Sequence, residues 1–124
     1  MRNRVGLGFD VHPFGTEPPL VLGGVRIADA PRLSGHSDGD VVERIASERW
    51  WVDNVDIVIA AEQPRLAPHL EPMQANLRAV LAPLKEPMGH GINVSVRPKR
   101  AEGLGAIGRA EGIAVWAVAL LSRG

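Results

Sequence analysis

Several short stretches of the chain alternate between apolar and polar residues or are rich in β-branched residues, which is the pattern of strands. The predicted strands are Val5–His12, Leu20–Ile27, Asn54–Ala61 and Ile92–Arg97. The run Ile113–Leu121 is apolar throughout, and its pattern fits either a buried strand or a short helix. Strands therefore dominate the expected fold.

One segment has helical spacing instead. Within Pro72–Leu81, the apolar residues that fall on one helical face are Met73, Leu77, Val80 and Leu81. Pro72 suits the first turn, where a missing N–H breaks no helical hydrogen bond. The stretch Val42–Trp50 can also be helical, and residues 28–39 and 101–112 are expected to be loops. Strands interleaved with few helices predict an α+β fold in which one mainly β-sheet packs on helices.

Composition narrows the class of protein. A length of 124 residues and a mass of 13.3 kDa predict a single domain. Fourteen basic residues balance fourteen acidic ones, so no overall field attracts nucleic acid or a membrane, and any anion site must be local. The absence of cysteine excludes disulfides and leaves His, Asp and Glu as metal ligands. The start MRNRVGLGFDVH does not have the pattern of a signal peptide, and we expect a cytoplasmic protein.

The sequence GFDVH places Asp10 and His12 two residues apart in a predicted strand, so both point to the same face. A carboxylate and an imidazole together suit zinc, which normally takes a third protein ligand. The alternative is a solvated end of a strand. These two residues alone do not decide between the two interpretations.

Two polar segments offer groups that could contact phosphate. Residues 36–40 read HSDGD, which fits a tight surface turn or a loop in which His36 and Ser37 donate to phosphate. The cluster RPKR at 97–100, followed by Glu102, is either a solvated surface or a phosphate site. In both cases the simpler surface interpretation stays open.

The glycine-rich segment GLGAIG at residues 103–108 matches the dinucleotide-binding pattern literally. We reject that function because a charged segment separates the glycines from the preceding strand. The glycines are expected to allow close approach of main chain to a ligand or a neighbouring subunit. His69 and His90 are isolated, and surface positions are expected for both.

Taken in order, five segments resemble the 2-C-methyl-D-erythritol 2,4-cyclodiphosphate synthase family of the non-mevalonate isoprenoid pathway. They are GFDVHPF, PLVLGGVRI, GHSDGDV, NVDIVIAAEQPRLAPH and AEGLGAIGRAEGIA. The resemblance implies a homotrimer whose sheets face the three-fold axis, with active sites between adjacent subunits. It also implies a phosphorus–oxygen lyase that cyclises a cytidine diphosphate derivative of methylerythritol 2-phosphate and releases CMP.

Site residues follow from the same resemblance. It implies that Asp10 and His12 bind zinc, that Glu102 binds magnesium or manganese, and that Lys99 and Glu102 are catalytic. The residues implied in substrate binding are His36, Ser37, Asp38, Ala61, Pro64, Arg65, Leu66, Ala67, Arg100 and Arg109. The main chain of residues 61–67 matches the turn that reads cytosine. Arg109 matches an arginine at the trimer's central cavity, which in some relatives holds an isoprenoid diphosphate. Lys99 and Arg100 replace a family threonine pair.

The chain departs from the family after Val42. In the family, HSDGDV opens a helix that supplies a histidine as the third zinc ligand and leads into an acidic substrate loop. Here GDVV runs directly into ERIASERWW, and Arg44 stands where the histidine would be counted. We expect that the protein actually made contains the missing helix and loop.

Two alternatives remain at this point. The first is a catalytically impaired trimer of this family that binds cytidine nucleotide or isoprenoid diphosphate. The second is a general metal phosphohydrolase, which would not prefer cytidine over adenosine nucleotides.

Overall fold

The computed structural model describes residues 2–33 and 48–124. Its strands are β1 (Arg2–Pro13), β2 (Leu20–Leu22), β3 (Val25–Ile27), β4 (Trp51–Ala60), β5 (Asn93–Lys99) and β6 (Gly112–Arg123). Its α-helices are α1 (Leu70–Leu81) and α2 (Gly105–Gly108), and short 3₁₀ helices at Ala67–His69 and Ala82–Leu84 flank α1. None of the helices in these ranges is long and apolar enough to cross a membrane.

Four strands form one sheet in the order β1-β6-β4-β5, and β2 pairs with β3 in a separate two-stranded sheet. β6 is antiparallel to both of its neighbours, whereas β4 and β5 are parallel. A parallel pair needs a long crossover connection, and the segment that contains α1 supplies it. The prediction of an α+β domain with a mainly β-sheet and few helices is therefore confirmed.

The core lies between this sheet and α1. Met73 of α1 is fully buried, and Val94 and Val96 of β5 belong to the same core, while Ser95 between them is exposed. The N–H of Val96 also donates to Oε1 of Gln74 on α1 at 2.9 Å. Burial of such a side chain stabilises the fold by about 1.5–3 kcal/mol. The helix is thus fixed over the β5 side of the sheet.

The register of β1 and β6 divides the β1 side chains between two faces, because residues directly opposite each other share a face. His12 lies opposite Ile113 and Asp10 opposite Val115, and both β6 residues belong to the core. We call this the inner face of the sheet. The alternate β1 residues lie on the outer face.

The outer face of β1 and β6 is apolar and exposed. We call it the outer apolar surface, and its exposed fractions range from 40% to 73% over Val5, Leu7, Phe9, Val11, Trp116 and Val118. The rings of Phe9 and Trp116 pack at a centroid distance of 5.1 Å. A contiguous exposed patch of this kind is typical of a surface that another chain covers.

The prediction of a single strand over Leu20–Ile27 is wrong. The segment is a hairpin of β2 and β3 around Gly23 and Gly24, whose φ angles are 58° and 76°. A two-residue hairpin turn of type I′ needs positive φ at both central positions, which glycine adopts without strain. A Cβ atom at Gly23 would also lie 2.8 Å from Cγ of Met73, so the turn packs closely on the helix.

Three smaller predictions need correction or completion. Val80 is 58% exposed, because the packed stripe of α1 runs through Leu70, Met73, Leu77 and Leu81 and leaves Val80 at its border. The expected loop 101–112 contains α2, and the ambiguous run 113–121 is a strand. Of the predicted helix Val42–Trp50, residues 48–50 include a turn and the rest lies outside the described residues.

Candidate active site

The carboxyl ends of β1, β4 and β5 lie at one edge of the sheet, because β1 and β4 are both antiparallel to β6 and β5 is parallel to β4. Across the strands, Asp10 is level with Val115, Ile59 and Pro98. Three strand spacings put the Cα atoms of Asp10 and Pro98 about 14 Å apart. In sheets with parallel strands, ligands bind beyond the carboxyl ends.

On β1, the two predicted zinc ligands lie side by side. Oδ2 of Asp10 and Nε2 of His12 are 2.7 Å apart and share a hydrogen bond, and Oδ1 of Asp10 accepts the N–H of Val11 at 3.0 Å. The Asp10 side chain is 64% exposed and that of His12 27%, so both are open to a ligand. Within residues 2–33 and 48–124, no group of three or more His, Asp or Glu side chains could hold a metal.

At the ends of β4 and β5 there is a cavity of about 590 Å³. Its walls are Ala61, Glu62, Gln63, Pro64, Arg65, Leu66, Ala67, Pro98 and Arg100. The predicted cytosine-reading turn, residues 61–67, therefore forms most of the wall, and the segment after β5 forms the remainder. The structure brings these two predicted parts together.

Main-chain hydrogen bonds and two buried side chains hold the turn at 61–67. The N–H of Ala61 donates to the carbonyl of Lys99 at 2.9 Å, and the N–H of His69 donates to the carbonyl of Leu66 at 2.8 Å. Ala61 and Leu66 are buried, whereas Arg65 is exposed. The side chains of this turn thus serve mainly to fix its main chain.

Glu62 connects the two walls. Its Oε1 accepts from Nη2 of Arg100 at 3.0 Å, and its Oε2 accepts from the N–H of Ala101 at 3.0 Å. The Glu62 side chain is only 13% exposed, although it is charged. A carboxylate at this depth is stable because both of its oxygens have partners.

Lys99 and Glu102 lie on the segment that contains Arg100. Both are exposed, and Glu102 has a positive φ of 54° at the turn that follows β5. Next along the chain, a Cβ atom at Gly108 would lie 2.2 Å from the carbonyl carbon of Gly103. The glycine at 108 thus allows the loop to pack closely on its own main chain.

Comparison with known proteins bears on what this edge of the sheet does. The model of the YgbB family matches residues 3–44 and 40–122. The chain belongs to the YgbB family. Two curated relatives are named 2-C-methyl-D-erythritol 2,4-cyclodiphosphate synthase. The one from Thermosynechococcus vestitus is 33% identical, with 100% of this chain and 99% of that protein covered. The one from Pectobacterium atrosepticum is 36% identical, with 95% and 93% covered.

Solved structures of this family have the same fold. The 2C-methyl-D-erythritol 2,4-cyclodiphosphate synthase from Plasmodium vivax matches with a TM-score of 0.79 at 28% identity, and 99% of each chain is covered. A CDP complex of the Plasmodium falciparum protein matches with a TM-score of 0.75 at 25% identity, with 96% and 95% covered. The resemblance found in the sequence is confirmed.

The YgbB family model matches this chain in two separate segments rather than in one. The two segments overlap at residues 40–44 of the chain. The alignment with the Thermosynechococcus relative runs over 165 positions, whereas this chain has 124 residues, so at least 41 positions have no residue of this chain. That the unmatched positions are the family's helix and substrate loop remains a prediction.

The remaining predicted site residues are placed as follows. Arg109 lies in the loop before β6, where its Nε donates to Oε2 of Glu111 at 2.7 Å. His36, Ser37 and Asp38, as well as Arg44, lie outside the described residues. Their roles stay predictions.

Sequence reasoning missed Glu62 among the functional candidates of this YgbB chain. Glu62 and Arg100 are 38 residues apart along the chain, and nothing in either segment indicates the pairing. The only usable signal was indirect. A prediction that β4 and β5 are neighbours would have placed two opposite charges at adjacent strand ends.

Proposed function

We propose that this protein cyclises 4-diphosphocytidyl-2-C-methyl-D-erythritol 2-phosphate to 2-C-methyl-D-erythritol 2,4-cyclodiphosphate with release of CMP. The match over the full chain to relatives named as synthases of this product carries the proposal. In the reaction, an oxygen of the 2-phosphate bonds to the β-phosphorus. The bond from the β-phosphorus to the oxygen that bridges to the α-phosphorus breaks, and CMP leaves with that oxygen.

The cavity beside residues 61–67 is assigned to the cytidine part of the substrate. Its volume of about 590 Å³ lies within the range of small-molecule sites. Because the turn is held by buried side chains, its N–H and C=O groups are available to read the cytosine edge. The CDP complex of the Plasmodium falciparum relative supports this assignment.

The segment after β5 is assigned to the phosphates. The reaction brings one anion toward another, so the site must offset negative charge. Arg100 places positive charge at the wall of the cavity, and the exposed Lys99 precedes it in the chain. We assign Lys99 to the charge that develops on the leaving phosphate. The exposed carboxylate of Glu102 suits magnesium or manganese, which prefer oxygen ligands.

Asp10 and His12 fit a zinc ion. A carboxylate and an imidazole are donors that zinc accepts, and both lie on the same face of β1. Their present hydrogen bond of 2.7 Å would be replaced by bonds to the metal. Within residues 2–33 and 48–124 of one chain, no third His, Asp or Glu side chain completes the group. Zinc supplies Lewis-acid polarisation of a phosphoryl oxygen when it is bound. The contribution of the chain is to hold both donors on β1, which is fixed by its pairing with β6.

The other predicted contacts are part of the same proposal. His36, Ser37 and Asp38 are assigned to the methylerythritol phosphate part of the substrate. Arg109 is assigned to the central cavity of a trimer, where an isoprenoid diphosphate could bind. We also expect a cytoplasmic protein.

We infer a homotrimer whose sheets face the three-fold axis. The outer apolar surface is too exposed for a single chain in water, and a second copy would bury it. In one chain, β6 lies between β1, which carries the metal donors, and β4, whose end begins the nucleotide cavity. A site between subunits would let β1 of one copy serve the cavity of another.

The segment expected after Val42 has its own test. Intact mass spectrometry of the purified protein gives a mass clearly above 13.3 kDa if the protein contains the family helix and loop. A mass of 13.3 kDa means that the segment is deleted. The relatives named as synthases favour the enzyme over a protein that only binds.

The activity is tested with the diphosphocytidyl substrate by following CMP and the cyclic diphosphate with phosphorus NMR. We expect turnover by the wild type, unchanged turnover by Glu71→Gln on the exposed start of α1, and at least about 100-fold slower turnover by Glu102→Gln. Absence of turnover by the wild type with added zinc and magnesium would contradict the proposal. A general phosphohydrolase would cleave cytidine and adenosine diphosphates alike.

A further inference from the structure

The ion pair between Glu62 and Arg100 differs in burial from two other arginine–carboxylate pairs of the described residues. In Arg97–Asp56 and Arg109–Glu111, both side chains are at least 43% exposed. In Glu62–Arg100, the carboxylate is 13% exposed and only the guanidinium is open to solvent, at 67%. Exposed pairs of long side chains fix little geometry, because both partners stay mobile. Here one partner is fixed.

Glu62 is fixed by the main chain as well as by its burial. Oε2 accepts the N–H of Ala101, and the preceding residue Ala61 donates its own N–H to the carbonyl of Lys99. The carboxylate therefore has a set position relative to the segment 99–102. Since Oε1 is bonded to Nη2 of Arg100, that position also restricts where the guanidinium can point.

The restricted guanidinium lies at the wall of the nucleotide cavity, of which Arg100 and Glu62 both form part. A guanidinium has five N–H donors, and the bond to Glu62 uses only one of those on Nη2. With respect to residues 2–33 and 48–124, the other donors have no partner and can bind the oxygens of a phosphate, which arginine binds well when it is already oriented. A carboxylate by itself would repel phosphate, so a favourable effect of Glu62 has to act through Arg100.

We propose that Glu62 is a positioning residue that orients Arg100 toward the phosphates of a cytidine nucleotide. The proposal rests on the proposed function, since it takes the cavity as the nucleotide site. It assigns to Arg100 the direct phosphate contact. Glu62 should therefore affect how much the phosphates of CDP add to its affinity. It should not affect recognition of the cytosine base.

The test measures Kd for CDP and for cytidine by NMR titration of the full-length protein with Glu62→Gln, Glu62→Ala, Arg100→Ala and the double alanine variant. We expect Arg100→Ala to lower the preference for CDP over cytidine about tenfold and Glu62→Ala to lower it about fivefold. The double variant should lose no more than Arg100→Ala alone, because both changes remove the same contact. Glu71→Ala on the exposed first turn of α1 is the control and should leave the preference unchanged.

Glu62→Gln separates an effect of the lost charge from an effect of impaired folding. Its amide oxygen can still accept the N–H of Ala101, but the charge on Arg100 is no longer matched. We expect a folded protein, shown by an unchanged urea midpoint, whose preference for CDP falls about two- to threefold. An equal loss of cytidine and CDP affinity in the Glu62 variants would mean a merely structural role. Additive losses in the double variant, or tighter CDP binding after Glu62→Gln, would also overturn the proposal.

Failure of the proposed function would look different. If the wild type binds ADP as well as CDP, the cavity does not select cytidine, and both the function and this inference fail. If the wild type prefers CDP over ADP but the Glu62 variants keep the CDP-to-cytidine preference, only the role of Glu62 is wrong.

Discussion

The two edge strands of the sheet, β1 and β5, differ in how much of their surface the rest of the chain covers. β5 has the alternating pattern of a strand that is covered on one side, with Val94 and Val96 under α1. In β1, every residue except His12 is exposed, on both faces of the sheet. Within the described residues, α1 thus covers one face of β5, whereas both faces of β1 stay exposed.

The difference separates two ways of building a site. On the side of the sheet that α1 covers, beside β4 and β5, a turn held by buried side chains presents its main chain to a cavity. At the opposite, exposed edge, β1 presents the side chains of Asp10 and His12 on the inner face and a row of apolar side chains on the outer face. A strand with both faces open requires other parts of the protein, either further copies or further chain, to complete it.

The largest expected effect concerns the outer apolar surface. Leu7 is 73% exposed there, and Leu7→Asp should convert the proposed trimer to single chains, because an unpaired charge buried in an interface costs about 3–5 kcal/mol. Sedimentation velocity measures the change in mass. The control is Val21→Asp, which charges an apolar residue of β2 that is 59% exposed and lies away from this surface. A wild type that sediments as a single chain would contradict the trimer.

The next prediction concerns the covered side. Met73 is fully buried between α1 and the sheet, so Met73→Ala should lower the free energy of unfolding by about 2–5 kcal/mol. Met88→Ala is the matched control, since Met88 is 92% exposed, and its effect should stay within about 0.5 kcal/mol. Urea unfolding followed by circular dichroism measures both. Equal effects of the two changes would mean that α1 does not form this core.

The covered part of the fold was the easier part to predict from the sequence. Helical spacing found α1, and alternation found β5, because each has one face in the core of its own chain. The hairpin at 20–27 was missed because LVLGGVRI was interpreted as one strand, although two apolar runs separated by Gly23-Gly24 are a signal for a two-residue hairpin turn. Local patterns report burial within the chain, and they report turns less well.

The site was predictable where single residues carry a recognisable motif. The spacing made Asp10 and His12 candidates, and the resemblance to a family assigned them to zinc and the turn at 61–67 to cytosine. These roles stay predictions. Glu62 was missed because its partners, Arg100 and Ala101, are distant in sequence and meet it only through the parallel pairing of β4 and β5. A contact that depends on which strands are neighbours is not visible in either segment alone.

A third prediction tests the inner face of β1. Zinc should be present at about one ion per chain in the wild type, and His12→Ala should lower its affinity by at least about 100-fold, because even the loss of an outer-shell partner costs 10–100-fold. His90→Ala is the control, as His90 is exposed and lies outside β1. Plasma mass spectrometry of the dialysed proteins gives the metal content. The same zinc content in His12→Ala and His90→Ala would contradict the assignment.

The smallest expected effect concerns the turn at residues 61–67, beside the cavity. If main-chain groups of residues 61–67 read the cytosine ring, the exposed side chain of Arg65 contributes little, and Arg65→Ala should change the Kd for CMP by less than about twofold. Isothermal titration with CMP and with AMP measures the effect and the selectivity together. The wild type and Arg65→Ala should both prefer CMP over AMP. We expect main-chain N–H and C=O groups of the turn to distinguish the bases, and the buried residues that hold this turn, Ala61 and Leu66, are unchanged in the variant. Loss of the preference in Arg65→Ala would mean that this site, like the one on β1, works through a side chain, and the contrast between the two ends of the sheet would no longer hold.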